Sequence, residues 1–354
     1  MTPLKTCKSV FSIVICLISI TVITCHRMPE PVSGLAYGFY RSSCPRAEEI
    51  IREEMGYFLK NNITSVGGFL RIPYHDCFVQ GCDASVLINA KDGELKSPPN
   101  LSLRPEVLQE IEKIKEKVEA ACPNTVSCAD IVVLAGRDSV HLSKGPYFEV
   151  PTGRRDSLNY ILSEDISSAQ LPGPNSTVKQ LIKRFKADKL SAVDLVALSG
   201  AHSVGTSHCS AFIDSLFPLS NRLESSFAQK LLQICPNKES NSLTVMDRAT
   251  PFVFDNKYFI NLVEGRVLFD SDTALLKNSK TSSAVKSFAD DQQEFFNQFA
   301  KSYIKMSMIN VKTGSEGNIR KVCSLLNSES TNNKNLTGSM NMMYAATDTI
   351  RTTS

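Results

Sequence analysis

Arg71-Ile72-Pro73-Tyr74-His75-Asp76-Cys77-Phe78-Val79-Gln80-Gly81-Cys82-Asp83-Ala84-Ser85 carries more chemistry than a purely structural segment needs. Arg71 and His75 are four residues apart, so on a helix they project from one face. One is a permanent cation and the other a base that titrates near neutrality; together they offer a general base and a charge stabiliser. Asp76, Asp83 and Ser85 then place hard oxygens around a turn at Gly81. With the carbonyls of Val79 and Gly81, that set suits a calcium ion. Cys77 and Cys82 can close the same loop by a disulfide. Singly, a histidine on a helix is more often a packed residue and an Asp/Ser/Gly loop is usually a turn. Their conjunction within fifteen residues points to function.

The pattern R-x-x-[aromatic]-H-D-C-F-V-x-G-C-D-A-S resembles the distal haem segment of the class III haem peroxidases, the secretory plant-type family. It departs at Pro73 and Tyr74, where the family usually has His and Phe. The resemblance implies a mostly α-helical fold of two lobes enclosing one non-covalent haem b; the chain has no Cys-x-x-Cys-His for covalent attachment. It also implies that His75 acts as general acid and base toward hydrogen peroxide, that Arg71 stabilises the leaving oxygen, and that two calcium ions bind.

Outward from that stretch, Tyr37-Gly38-Phe39-Tyr40 and Ser43-Cys44-Pro45 resemble the family's mature amino-terminal signature. Ala47, Ile50, Ile51, Met55 and Phe58 recur at helical spacing. A second helix is expected over about 66–78, with Pro73 removing one backbone bond and distorting the turn before His75. By resemblance Asn100 orients His75 through Nδ1, and Glu94 joins the bonds leading to the distal calcium. Asn100-Leu101-Ser102 is also a glycosylation sequon; a buried role is favoured for Asn100, which leaves Asn62, Asn175 and Asn335 as glycan sites. Residues 106–121 form an amphipathic pattern, apolar at Val107, Leu108, Ile111, Ile114 and Val118. The family buries a salt bridge where this chain has Asp130 and Arg154. Pro172 falls where relatives contact phenolic donors through a carbonyl at the haem mouth.

The stretch 194–205 reads as an apolar helix with His202 near its end. By resemblance His202 is the axial ligand of the haem iron and Asp272 accepts its Nδ1 proton; Asp270 is the lesser choice. Asp247, Thr250 and Asp255, with the carbonyl of Val253 and the hydroxyl of Ser203, match the second, proximal calcium set. Ser203 stands where the family usually has Thr. The resemblance runs from about Tyr37 to Ser324.

The 354 residues are 42% hydrophobic and 21% charged with formal charge +3, an ordinary globular composition without a basic patch for nucleic acid. Lys5 and Lys8 precede an apolar run from Val10 to Ile23, shorter than the roughly 20 residues of a membrane span. It reads as a secretory signal peptide ending near residue 28, leaving no membrane segment after cleavage. A haem peroxidase domain is expected over 35–326 and a disordered extension or propeptide over 327–354. Three of the eleven cysteines lie in or beside the leader. The other eight allow four disulfides, and the resemblance implies Cys44 with Cys122, Cys77 with Cys82, Cys128 with Cys323, and Cys209 with Cys235. The expectation is thus a secreted monomeric enzyme, extracellular, wall-bound or vacuolar, that reduces hydrogen peroxide while oxidising small phenolic donors by one-electron steps. The alternatives are a catalytically weak relative that keeps calcium and haem as a binding protein, supported by Pro73 and Tyr74 alone, and a metal hydrolase using His75 and Asp76, which lacks further histidines at ligand spacing.

Overall fold

A computed structural model describes residues 28–167 and 170–330; the leader and the extension beyond residue 330, with the sequon at Asn335, lie outside the described residues. The described chain is mainly helical. Helix α1 (Ala47–Asn61) buries Ala47, Ile51, Met55 and Leu59, one residue per turn, with Ile50 and Phe58 packed at the margin. Helix α2 (Val66–Cys77) carries the quoted motif. Helix α3 (Pro105–Ala121) buries all five apolar positions expected of it. Helix α4 (Cys128–Leu142) is buried along almost its whole length. It starts where Ser127 accepts a hydrogen bond from the Asp130 amide, which satisfies one orphan donor of the first turn. It packs against α1, α2 and α3.

In the second half, α5 (Val178–Ala187) and α6 (Ala192–Ser199) both open on capping boxes, Thr177 with Gln180 and Ser191 with Asp194. A two-stranded antiparallel ribbon pairs β1 (Thr206–His208) with β2 (Leu243–Val245), with α7 (Ser225–Ile234) between them. Helices α8 (Lys257–Val263), α9 (Asp270–Ala274), α10 (Ser279–Asp290) and α11 (Gln292–Met306) follow, and a last turn, α12 (Asn327–Ser330), is tied back by Asn327 to the Ile319 carbonyl at 3.0 Å, so the start of the segment expected to be disordered is folded. Helix α6 packs on α5, α10 and α11. An aromatic cluster of Phe254, Phe259, Phe295 and Phe299 fills the space beneath it. Tyr303 extends this cluster and donates to the Val133 carbonyl at 2.8 Å, tying the second half to α4.

Four disulfides staple this frame: Cys44–Cys122, Cys77–Cys82, Cys128–Cys323 and Cys209–Cys235, the pairs that the resemblance implies. Cys128–Cys323 spans 195 residues, so in the chain-entropy view it restricts the unfolded chain by about 5 kcal/mol. The buried pair of Asp130 and Arg154 forms at 2.7 Å.

Two local features bear on the sequence reading. Helix α2 runs from Val66 to Cys77 with Pro73 inside it, in line with the helix expected over 66–78. Proline there leaves the Phe69 carbonyl without its helical partner, and the neighbouring helix meets that spot with Gly136, where a Cβ would strike the Tyr303 hydroxyl and lie 3.1 Å from Pro73 Cγ and 3.2 Å from the Phe69 oxygen. The missing side chain makes room for the Tyr303 hydroxyl and lets α4 lie close to the proline. Helix α6 ends at Ser199 and tightens into a 3₁₀ turn, Gly200–Ser203, that carries His202. Gly200 lies against Phe295, whose ring a Cβ would strike.

Candidate active site

The two histidine-bearing segments are brought together by a close backbone approach. Gly67, at the start of α2, lies against Val204 and Gly205; a Cβ on Gly67 would come within 2.7 Å of Gly205 Cα. Gly205 has φ +99°, a conformation that side chains resist. Only at such glycines can a helix and an extended segment run this close.

On the α2 side, His75 Nδ1 lies 2.5 Å from Asn100 Oδ1. Asn100 Nδ2 donates to the Glu94 carbonyl at 2.8 Å, which turns the amide oxygen toward the ring. Nδ1 therefore carries the proton and Nε2 is the free base. Arg71 Nε donates to that Nε2 at 2.9 Å, while its remaining nitrogens donate to the carbonyls of Pro99 and Ser102 and to the Ser102 hydroxyl. Burial, reinforced by the adjacent guanidinium, pulls the His75 pKa from 6.5 to about 3, against the opposing pull of Asn100. Burial also lowers Arg71 to about 10, still a cation at neutral pH. Asn100 is 2% exposed, so its sequon is closed off by packing, whereas Asn62 and Asn175 are exposed. Tyr74 packs its ring 4.5 Å from Phe78 and edge-on to His75 at 5.7 Å.

On the other side, His202 Nδ1 lies 2.9 Å from Asp272 Oδ1. The carboxylate is buried while the imidazole is 37% exposed, so a ring anchored at one nitrogen presents the other outward, the geometry of a metal-ligating histidine. Asp270 is engaged elsewhere, with Arg222 and Ser215. Sequence reasoning missed Tyr258, whose hydroxyl donates to the same Asp272 oxygen at 2.8 Å. A tyrosine fourteen residues before the aspartate has no local signature that could have revealed it.

The members of the two oxygen-rich sets are buried or half-buried. In the loop after α2, Asp76 accepts from the amide of Ala84 and Asp83 from that of Ser85, while neither Ser85 Oγ nor Glu94 Oε2 completes a hydrogen bond of good geometry. Burial raises Asp76 well above the usual carboxylate range and Glu94 to about 7. In the second set the Ser203 hydroxyl lies 3.0 Å from the Val253 carbonyl and 3.3 Å from Asp255 Oδ1. Asp247 Oδ2 and Thr250 Oγ1 are buried without partners. Orphaned buried oxygens of this kind are costly unless a cation meets them. Among the described residues no group of three or more His, Cys, Asp or Glu side chains is placed to hold a metal ion. Pro172 is half-buried on the segment after Leu171, which is fastened by Arg184 to the Gln170 carbonyl at 2.9 Å. None of the groups around either histidine bonds to it. A cleft of about 640 Å³ between α1 and α3 and a smaller cavity of about 220 Å³ beside Pro174 and Asp270 hold neither histidine.

A base held neutral beside a cation and an imidazole anchored through one nitrogen thus stand on two segments that meet at Gly67 and Gly205. The family model described as Peroxidase matches residues 51–291. Cationic peroxidase SPC4 of Sorghum bicolor is 44% identical over 310 residues, 86% of this chain and 85% of that protein. Peroxidase 12 of Arabidopsis thaliana is 44% identical over 303 residues, 84% of each chain, and Peroxidase 15 of the same plant is 43% identical over 301. The chain belongs to the plant haem peroxidase family, among its class III members. It is therefore an enzyme that takes hydrogen peroxide and a reducing donor, with haem as the group the family implies.

Proposed function

We propose that the chain is a secreted, monomeric haem b peroxidase with two calcium ions, which reduces hydrogen peroxide to water while oxidising two equivalents of a small phenolic donor. Its leader would end near residue 28, its catalytic domain would span 35–326, and the tail 327–354 would be an extension or propeptide. The extracellular space or wall is the expected destination, or the vacuole if the tail is a sorting signal. The observation that carries this reading is the pairing of His75 Nε2, unprotonated and facing Arg71, with His202 anchored by Asp272.

In this reading the haem, held through His202, supplies the iron that accepts oxidising equivalents from peroxide and passes them on singly. His75 takes the proton of hydrogen peroxide at Nε2 and returns it to the departing oxygen as water leaves. Asn100 keeps the other ring nitrogen protonated throughout, so the base stays on the side that faces peroxide. Arg71 turns from its contact with Nε2 toward the oxygen on which charge develops. Asp272 draws on the Nδ1 proton of His202 and makes that ligand more basic. Asp76, Asp83, Ser85, Glu94 and the carbonyls of Val79 and Gly81 would hold the distal calcium; Ser203, Asp247, Thr250, Asp255 and the Val253 carbonyl would hold the proximal one. Phenols would dock against the Pro172 carbonyl.

The test is the absorption spectrum of haem- and calcium-loaded protein. One equivalent of hydrogen peroxide is expected to bleach the Soret band and guaiacol to restore it; a bound haem indifferent to peroxide sinks the reading. The bleaching rate is expected to stay level as the solution is acidified through 6.5 and to fall only toward about 3, because the base must be neutral and its pKa is depressed. The same shift has a stability consequence: below 6.5 the unfolded chain protonates this histidine and the folded one does not, so stability falls with acid between those two values.

Tyr74 is expected to act by packing. Burial raises its hydroxyl pKa far above its ordinary value, so the phenol stays neutral against Phe78. Tyr74→Phe should leave turnover and the lifetime of the peroxide-oxidised enzyme within about twofold, small beside the tenfold that 1.4 kcal/mol represents. A markedly longer lifetime in the variant would mean that the phenol itself is being oxidised.

A further inference from the structure

The loop read above as the distal calcium site already contains a cation. Lys312 Nζ lies 2.5 Å from Asp83 Oδ2, and Asp83 is fully buried. The two residues are 229 apart in sequence, and the contact is fixed from both ends of the lysine. Its backbone carbonyl accepts from the Arg155 amide at 2.9 Å. Its aliphatic stem lies over Gly317, where a Cβ would stand 3.3 Å from Lys312 Cδ. The segment leading to it runs along the loop, since the Ile309 carbonyl accepts from the Cys82 amide at 3.0 Å and the Asn310 carbonyl approaches Gly81 too closely for any side chain there. The lysine side chain is 31% exposed and its partner wholly buried, so a backbone-anchored ammonium at the rim reaches in to the acid. The other nearby cation, Arg320, directs its guanidinium at the Ala84 carbonyl, while its backbone amide donates to Asp156.

We propose that Lys312 is a built-in monocation that sets the affinity of this loop for calcium. It compensates Asp83 when no metal is present and, by placing a positive charge beside the ion, weakens calcium binding when metal arrives. The proposal rests on the calcium reading given above. Two consequences follow with opposite signs. Without the ammonium, Asp83 is a buried charge lacking its partner, so the metal-free protein loses stability. The bound calcium, relieved of a like charge a few ångströms away, is held more tightly. Removing Lys312 therefore makes the fold lean harder on calcium.

The experiment compares the haem-loaded protein with Lys312→Met and Lys312→Arg after chelator stripping, by calorimetric titration with calcium alone and by thermal midpoint in chelator and in excess calcium. Lys312→Met is expected to bind calcium about tenfold more tightly at one class of site, a change of about 1.4 kcal/mol, with the other class unchanged as an internal standard. Its midpoint should drop further on chelation than that of the parent protein. Lys312→Arg, which keeps the charge, should resemble the parent. If Lys312→Met does not accumulate, Lys312→Gln carries the same comparison. Calcium binding that is equal or weaker in the uncharged variant overturns the proposal alone. If none of the proteins takes up calcium, the calcium reading falls and the proposal with it.

Discussion

His75→Leu is expected to slow the reaction with hydrogen peroxide by about 10²–10⁴-fold, the range typical of removing one positioned acid-base group, while haem stays bound. The reasoning starts from the hydrogen bonds. Asn100 fixes the proton on Nδ1 and leaves Nε2 basic, and burial keeps that nitrogen unprotonated over most of the pH range. Peroxide is a poor acid, so it reacts readily only where a base can take its proton and give it back to the leaving oxygen. Leucine can do neither. Arg71 remains in the variant, held by the carbonyls of Pro99 and Ser102, so the residual rate measures what charge stabilisation achieves without proton transfer. The axial histidine lies on a different segment with its own carboxylate, so the Soret band should persist. Stopped-flow measurement of its bleaching separates the two effects. A variant that binds haem and reacts within threefold of the parent would remove His75 from the proposed chemistry.

The parts of this site that could be read from sequence are those that depend on local spacing or on a long motif. Arg71 and His75 are one helical turn apart, and Asp76, Asp83 and Ser85 sit on one short loop, so their convergence needs nothing from the rest of the chain. The choice of Asp272 over Asp270 as partner of His202 came by resemblance; both lie on α9, and only the fold shows that Arg222 occupies Asp270. Remote contacts outside the pairs that the resemblance implies left no trace. Tyr258 on Asp272 and Lys312 on Asp83 join residues whose identities are unremarkable where they stand. Pro73 was legible as a proline inside a helix, whereas the glycine on α4 that lets Tyr303 and the proline ring pack there is something propensity cannot foresee. His202 illustrates the converse: the apolar run predicts one continuous helix, and the crowding of Gly200 by Phe295 accompanies its tightening into a 3₁₀ turn.

Asp130→Ala is expected to cost about 3–5 kcal/mol of folding stability, a large share of the roughly 5–15 kcal/mol that a domain has. Both partners of the pair are buried. Asp130 Oδ1 accepts from Arg154 Nη1 at 2.7 Å, and Oδ2 from the Tyr40 hydroxyl at 2.6 Å and the amides of Gly153 and Arg154. Arg154 also donates to the carbonyls of Pro151 and Ser307 and to the Ser307 hydroxyl, so it locks α4 to the segment that follows α11. Alanine leaves a buried guanidinium without a counter-charge and three donors without an acceptor, a deficit the neutral carbonyls cannot make good. The pair touches neither histidine, so the protein that does fold should bleach with peroxide at the parent rate. Chemical denaturation with the disulfides intact gives the stability difference. A loss below about 1 kcal/mol, the usual size for an exposed pair, would mean that the carbonyl contacts of Arg154 alone compensate its charge.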